Sequence, residues 1–382
     1  MRKLIISLAA GFLAIVYKIC QLFPTRRRIV CITRKKGAPP VDFTLIRDWC
    51  AAHKPEWDVV ILAKSTANPL SYFFEMLRET YYIATSRAVV IERICIVVSL
   101  LGDRIAAPVI QIWHAVGNMK KFGYTVVDTP EGHSSEVMEL TRMHTGYDAV
   151  AISSMDFREQ FAAGFNVDPA IIFEAPLPRV DLFRDPVHRE QQRRAVQEAY
   201  PALADGRSVI VYCPTYRKDV PANQHEAMER LLAAVDFSRY HLVFKPHPLS
   251  HLAFDDPRVI TIAGTSPDAL YAADYVISDY STVIYEAGLL GVPVYLYAYD
   301  WDAYNEKRGF NFDISHEVPT LFTDDAAAII AAIDEGSFDH DAYARFMARN
   351  VTLPAEDTCT AQMCRKVIAF AERSRAKNRH TI

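Results

Sequence analysis

Short apolar runs rich in valine and isoleucine alternate with helical stretches along most of the chain. In the first half these runs are residues 28–33, 57–63, 88–92, 108–113 and 148–152. A second series follows a linker region at 181–200 and comprises residues 208–213, 240–245, 258–262, 275–277 and 292–298. Near-continuous apolar runs predict parallel strands that are covered on both faces. We therefore predict an α/β protein with two Rossmann-like domains that face a cleft.

Length and composition agree with two ordered domains. The chain has 382 residues, of which 51% are hydrophobic and 23% are charged. That length exceeds what one core usually holds, and the composition is that of a globular protein. The predicted boundaries are 1–25 for an N-terminal helix with its basic flank, 26–185 for the first Rossmann-like domain and 186–382 for the second. The last helices, from about residue 338, are expected to pack back on the first domain.

The N-terminal segment 4–23 is apolar apart from Ser7, Lys18 and Gln21. It has the features of a signal peptide, a transmembrane anchor or a helix lying in the membrane interface. A short apolar stretch before Lys18, and three arginines directly after the segment, favour a membrane-surface helix or short anchor. The body of the protein is then expected at the cytoplasmic face, held on anionic lipid by the basic flank. A buried first helix of the core is the alternative.

Charge and cysteine usage exclude several classes of function. The net charge of −4 argues against a general nucleic-acid binder, although the first 41 residues carry nine basic and no acidic residues. The seven cysteines are scattered and odd in number. This usage is typical of thiols in a reducing compartment, and it predicts neither a disulfide framework nor a zinc site. No metal or cofactor is expected.

Polar residues stand directly after several predicted strands, where open parallel sheets bind ligands. His114 follows the fourth strand, and a histidine there can accept a proton from a hydroxyl near neutral pH. Thr215 and Arg217 follow a later strand, and Arg217 has the geometry to hold phosphate oxygens. A structural histidine and a solvated loop are the respective alternatives.

Two further turns have the same placement. Lys245 and His247 are separated by Pro246, which favours an extended shape suited to contacting a diphosphate. The stretch SDYST, followed by a helix, directs hydroxyls and helix N-terminal N–H groups towards an anion. Glu286, one turn into that helix, is expected to accept hydrogen bonds from ribose hydroxyls. Asp279 is an alternative Mg²⁺ ligand, although a lone carboxylate makes a poor metal site.

The order of the motifs is more specific than any one of them. The chain shows WH-x-x-G-x-x-KK-x-G, PLPR-x-D, PTYR, KPHP, SDYST and YD-x-x-x-Y-x-x-x-RGF in that order, from about residue 108 to 312. This order resembles the CDP-glycerol glycerophosphotransferase family, the teichoic-acid polyol-phosphate transferases of Gram-positive bacteria. The resemblance implies a GT-B fold, a monotopic membrane enzyme and a CDP-linked polyol donor.

The resemblance also implies roles for individual residues. His114 matches the family's general base, and His247 is the second catalytic candidate. Arg179 and Asp181 fall on family positions without an assigned role. The predicted donor-binding residues are Thr215, Arg217, Lys245, His247, Ser278, Asp279, Ser281, Thr282, Glu286 and Arg308. One departure is Ala115, where the family usually has glycine, followed by Val116-Gly117-Asn118 in place of a threonine-proline pair; this altered loop flanks the predicted base and bears on the choice of acceptor.

These observations lead to a functional hypothesis. The chain would transfer glycerol phosphate or ribitol phosphate from a CDP-polyol to an undecaprenyl-diphosphate-linked acceptor and release CMP. Two alternatives stay open: a GT-B glycosyltransferase that uses a nucleotide sugar, and an inactive membrane-bound scaffold of the same fold. The choice of polyol, and of primase or polymerase activity, also stays open.

Overall fold

The computed structural model describes residues 2–64, 68–217, 222–247, 250, 252, 255–262, 264 and 266–379. The chain forms two compact units. Unit 1 contains Met1–Ala115, Phe122–Asp181 and Thr352–Ile382, and unit 2 contains Val116–Lys121 and Leu182–Val351. The boundaries predicted from the sequence put residues 352–382 in the second domain and residues 116–121 in the first. The structure assigns each of these segments to the opposite unit.

Unit 1 contains a parallel sheet with the order β2-β1-β3-β4-β5-β6. Its strands are β1 Arg28–Lys36, β2 Asp58–Lys64, β3 Ala88–Ile91, β4 Val109–Gln111, β5 Ala149–Ile152 and β6 Ile172–Glu174. Each of the five predicted runs of this half forms a strand, whereas β6 was not predicted. All neighbouring pairs are parallel, as the continuous apolar runs predict.

The second sheet, in unit 2, is also parallel and has the order β12-β11-β10-β7-β8-β9. Its strands are β7 Ser208–Cys213, β8 Tyr240–Phe244, β9 Val259–Thr261, β10 Tyr275–Ser278, β11 Val294–Tyr297 and β12 Phe322–Thr323. With the strands numbered from 1 to 6 within the unit, this order is 6-5-4-1-2-3. Read from the opposite edge of the sheet, it is the Rossmann order 3-2-1-4-5-6. The strand order therefore reverses between β7 and β10, where such sheets bind ligands.

Helices connect the strands in both units. They are α1 Arg2–Cys20, α2 Val41–His53, α3 Pro69–Thr85, α4 Ile96–Leu101, α5 Ser135–Thr141, α6 Arg158–Phe165, α7 Val180–Arg184, α8 Pro186–Ala199, α9 Ala222–Ala234, α10 Ser266–Leu270, α11 Val283–Leu290, α12 Trp301–Arg308, α13 Ile314–Glu317, α14 Ala326–Glu335, α15 His340–Asn350 and α16 Cys359–Arg379. The helix expected in the linker region is α8, and α15 and α16 are the expected C-terminal helices.

The core of each unit lies between its sheet and the covering helices. In unit 1, α2 and α16 bury Phe43, Ile46 and Val367 against strand residues such as Val90 and Ile110. Helix α16 belongs to unit 1 because its apolar face completes this core. Fully burying one such side chain stabilises a fold by about 1.5–3 kcal/mol.

The predicted N-terminal helix is present as α1. It packs against α3, and Leu13 and Tyr17 are buried, with the Tyr17 hydroxyl accepting a hydrogen bond from Ala106 N at 2.9 Å. Within the described part of the chain, no helix has both the length and the apolar character needed to cross a bilayer.

Candidate active site

His114 lies just beyond β4, on a turn with unusual backbone geometry. The preceding residue, Trp113, has φ +66°, a left-handed conformation that is strained for a bulky side chain. The Trp113 ring packs against Phe122 and Phe165, with ring centroids 4.4 and 5.3 Å away. Its amide donates to Gln111 Oε1 at 2.9 Å. These contacts hold the turn that orients His114.

The imidazole of His114 is a neutral base with a defined tautomer. Its Nδ1 lies 3.3 Å from the carbonyl oxygen of Glu92. A carbonyl only accepts, so Nδ1 carries the proton and Nε2 carries the lone pair. Burial, together with the nearby charges of Arg93 and Arg179, lowers the pKa of His114 to about 3, against the opposing effect of the hydrogen bond to Glu92. The ring is therefore neutral at physiological pH, with Nε2 unprotonated.

Arg179 and Asp181, from the PLPR-x-D motif, make structural contacts in unit 1. Arg179 N donates to Asp42 Oδ1, and Arg179 Nε donates to Asp42 Oδ2, both at 2.9 Å. Asp42 lies in the first turn of α2 and is buried. Asp181 accepts from Cys359 N and Thr360 N at 2.8 Å, which satisfies N–H groups at the start of α16. The motif thus holds the N-terminal ends of two core helices.

The turn after β10 is built around Asp279. This carboxylate is fully buried and accepts from Thr215 N at 2.9 Å, Thr215 Oγ1 at 2.6 Å and Tyr280 N at 2.6 Å. It therefore joins the loop after β7 to the turn after β10, on both sides of the strand-order reversal. Ser278 is also fully buried, and its hydroxyl donates to Cys213 O at 2.8 Å.

Arg217 completes this network instead of projecting into solvent. Its Nε and Nη2 donate to the two carboxylate oxygens of Asp300 at 2.8 Å, and Nη1 donates to Asp279 Oδ2 at 2.9 Å. Only 6% of the Arg217 side chain is exposed. The carboxylates raise the pKa of its guanidinium against the opposing effect of burial. The structure thus shows Arg217, predicted from sequence to contact phosphate, as the cation that joins three loops within unit 2.

Lys245 and His247 differ in their environments. Lys245 is 2% exposed, and its ammonium donates to Ile262 O at 3.1 Å. Burial lowers the pKa of Lys245, with the charge of Asp268 acting in the opposite direction. His247 is exposed, and its ring centroid lies 5.3 Å from that of Tyr216. Partial burial of the ring and the charge of Lys120 lower the pKa of His247.

The other predicted donor-binding residues lie on α11 and α12. Ser281 Oγ accepts from Val283 N at 3.3 Å, and Thr282 occupies the N-cap position of α11. Glu286 is half-buried in the first turn of α11, and the half-buried Arg308 ends α12. All the predicted donor residues therefore belong to unit 2, on loops and helix starts near the carboxyl ends of β7, β8 and β10 or on α12.

The segment Val116–Lys121 belongs to unit 2 and binds the RGF motif there. The side-chain amide of Asn311 donates to Asn118 Oδ1 at 2.8 Å and to Lys120 O at 3.0 Å, and Asn311 N donates to Met119 O at 2.9 Å. Asn118 and Asn311 are 193 residues apart.

A side chain at Gly117 would place its Cβ 2.2 Å from the Tyr285 ring, so the segment requires glycine there. This pairing of two motifs was not predicted.

A further pair of residues was missed although their motif was noticed. Asp300 and Tyr304 are the aspartate and tyrosine of YD-x-x-x-Y-x-x-x-RGF. Asp300 pairs with Arg217, and the Tyr304 ring lies 4.5 Å from that of Tyr280 in the SDYST turn. The motif spacing was a signal for these residues, but it carries no information about their partners.

Comparison with known proteins decides the family. A family model described as CDP-glycerol:poly(glycerophosphate) glycerophosphotransferase matches residues 49–358. The chain belongs to this family. The teichoic acid ribitol-phosphate primase of Bacillus spizizenii is 28% identical over 284 residues, with 71% of each chain covered. The teichoic acid poly(ribitol-phosphate) polymerase of the same organism is 27% identical over 345 residues, which are 85% of this chain and 54% of the polymerase. The chain thus spans about half the length of that polymerase.

Solved structures show the same fold. The wall teichoic acid polymerase TagF superposes with a TM-score of 0.74 at 15% identity, covering 97% of this chain and 98% of the TagF chain. A TagF variant soaked with CDPG superposes with a TM-score of 0.70 at 16% identity, covering 97% and 98% of the two chains. The mixed α/β fold with two parallel sheets is therefore that of TagF, as the predicted GT-B architecture requires.

Proposed function

We propose that this chain transfers a polyol phosphate from a CDP-polyol to a hydroxyl of a lipid-linked polymer acceptor. The observation that carries the proposal is the set of motif-bearing loops at the strand-order reversal of unit 2. Thr215, Asp279 and Arg217 lock the loops after β7 and β10 together at the position where Rossmann sheets bind nucleotides. Similar proteins support the same chemistry, because they are teichoic acid ribitol- and glycerol-phosphate primases and polymerases.

The proposed reaction is a phosphoryl transfer. The acceptor oxygen attacks the phosphorus that bears the polyol, and a new P–O bond forms. The P–O bond to the bridging oxygen breaks, and CMP leaves with the electron pair. The hydroxyl proton passes to His114 Nε2, which is neutral and unprotonated before the reaction. His114 belongs to unit 1, and the residues assigned to the donor belong to unit 2.

Positioning and charge stabilisation are the main contributions that a protein makes to such a transfer. The network of Arg217, Asp279 and Asp300 fixes the turn, and Ser281, Thr282 and His247 are then the groups assigned to the diphosphate. Glu286 is assigned to the nucleoside. Ser278 and Lys245 support these loops from within, because their polar atoms are bonded to Cys213 O and Ile262 O.

The donor is tested by incubating the protein with CDP-glycerol, CDP-ribitol or a CMP- or UDP-linked sugar and a short lipid-linked acceptor. We expect the acceptor to gain the mass of one or more glycerol phosphates or ribitol phosphates, measured by mass spectrometry. A gain of a sugar mass, or no gain with either CDP-polyol, contradicts the proposal. Heat-inactivated protein is the control.

An apolar surface on unit 1 supports the membrane association expected from the sequence. On α1 the exposed residues include Ile15, which is 62% exposed. On α3, Leu70 and Phe74 are 66% and 60% exposed, and the ring of Phe73 stacks on Phe12 at 5.9 Å. The two helices thus present one apolar face, larger than the isolated exposed residues of ordinary surfaces. We infer that this face lies in the membrane interface at the cytoplasmic side, where a lipid-linked acceptor is reached.

Charge on this face should prevent membrane binding. The double change Ile15→Glu and Phe74→Glu removes two apolar contacts with lipid, each expected to contribute about 1.5–3 kcal/mol. We therefore expect at least a tenfold lower fraction bound to vesicles containing phosphatidylglycerol, measured by co-sedimentation. The control is Val187→Glu on α8, where Val187 is 63% exposed but belongs to unit 2. Undiminished vesicle binding by the double variant would exclude this face as the docking surface.

A further inference from the structure

Lys120 belongs to the same motif as His114 but lies in unit 2. Its backbone forms an antiparallel bridge with Phe310, and Lys121 N donates to Gly309 O at 3.3 Å. Together with the contacts of Asn311 to Asn118 and Met119, these bonds add the segment Val116–Lys121 to the RGF loop of unit 2. The position of the Lys120 side chain is therefore set by unit 2, the unit that carries the donor residues.

The ammonium of Lys120 lies at the aromatic cluster that covers the SDYST turn. Lys120 Nζ donates to the Tyr304 hydroxyl at 2.8 Å and lies 5.1 Å from the centroid of that ring. Tyr304 in turn packs against Tyr280 of the turn, and the guanidinium carbon of Arg217 lies 5.0 Å from the Tyr304 centroid. Lys120 is thus one aromatic ring away from the turn that is assigned to the diphosphate.

The positive charge of Lys120 also acts on His247, in the loop after β8. The positive charge of Lys120 contributes to the lowered pKa of His247, so the two side chains are close enough to interact electrostatically. Two of the basic side chains predicted to bind the donor make their contacts within the protein: Arg217 donates to two carboxylates, and Lys245 donates to the Ile262 carbonyl. A diphosphate bound near His247 and the SDYST turn would still require positive charge, and Lys120 lies near both loops.

We propose that Lys120 is a donor-binding residue whose ammonium contacts the diphosphate of the nucleotide donor. The proposal rests on the proposed function. It adds to the donor site a cation, Lys120, from the same motif as His114. In this role the Lys120 ammonium stabilises the negative charge that develops on the departing CMP phosphate. The contacts between Asn118 and Asn311 hold the segment that positions it.

The test compares two neighbouring lysines. Lys120→Gln removes the proposed contact, whereas Lys121→Gln removes an equal charge at an exposed position and is the matched control. We expect Lys120→Gln to lower kcat/KM for the CDP-polyol by about ten- to a hundredfold, the usual effect of losing a hydrogen bond to a charged group. Lys121→Gln should stay within about twofold of wild type, as expected for an exposed charge. Lys120→Arg should restore part of the loss, because it keeps the charge.

Two measurements separate donor binding from a purely structural role. Calorimetry with CDP should show weaker binding to Lys120→Gln than to Lys121→Gln, with equal thermal stability. NMR titration should show a higher pKa of His247 in Lys120→Gln, because a positive neighbour has been removed, and no change in Lys121→Gln.

Wild-type CDP affinity and kcat/KM in Lys120→Gln would overturn this inference and leave the proposed function intact. CDP binding by a wild-type protein that releases no CMP would overturn the proposed function, while the comparison of the lysines would still decide the role of Lys120.

Discussion

His114→Ala is expected to lower the rate of polyol-phosphate transfer by about 10²- to 10⁴-fold, the usual contribution of a general base. The variant loses the Nε2 lone pair that accepts the proton of the attacking hydroxyl. Its donor affinity should stay close to wild type, because the predicted donor residues all belong to unit 2. The measurement is the initial rate of CMP release under saturating donor, together with the affinity for CDP.

The control for this variant is His133→Ala, which removes an exposed histidine from the same unit. We expect it to retain full activity. The pH dependence gives a second readout. Since the pKa of His114 is about 3, His114 should not become protonated as the pH falls from 8 to 6, and kcat/KM should not decrease through its protonation in that range. Near-full activity of His114→Ala would remove His114 as the base.

Arg217→Ala is expected to lower the free energy of unfolding by about 3–5 kcal/mol, the usual cost of breaking a buried ion pair. The reason is that Asp279 and Asp300, whose side chains are 0% and 7% exposed, would stay buried without the guanidinium that pairs with them. Arg217→Lys should be destabilising too, because an ammonium cannot make the paired hydrogen bonds to Asp300. Urea denaturation of the purified variants measures the change.

A surface arginine provides the comparison. Arg239 pairs with Asp334, and their side chains are 52% and 36% exposed. Arg239→Ala should cost less than about 1 kcal/mol, as exposed pairs do. If Arg217→Ala kept wild-type stability and lost only donor affinity, the contact with phosphate predicted from the sequence would be correct and the positioning role wrong.

The sequence was sufficient for the central strands and for the edge strands β2 and β9, and insufficient for the edge strands β6 and β12. Strands such as β7 were predicted to the residue, because a buried parallel strand is apolar at nearly every position. The edge strands β6 and β12, which contain three and two residues, were missed.

The candidate site was predicted as a set of motifs but not as a set of contacts. Arg217 was correctly placed after a strand, yet its partners Asp279 and Asp300 lie 62 and 83 residues further along the chain. A single sequence carries no information about such pairings, so an internal ion pair and a ligand-binding cation look the same. For the same reason the binding of Asn311 to Asn118 was not foreseen.

The identity of the released nucleotide distinguishes phosphoryl transfer from transfer of the polyol alone. Purified protein, CDP-glycerol or CDP-ribitol and a lipid-linked acceptor are incubated, and the nucleotide products are separated by anion-exchange chromatography. We expect CMP in equal amount to the polyol phosphate gained by the acceptor, because phosphoryl transfer breaks the diphosphate. Release of CDP, with the polyol transferred without its phosphate, would contradict it.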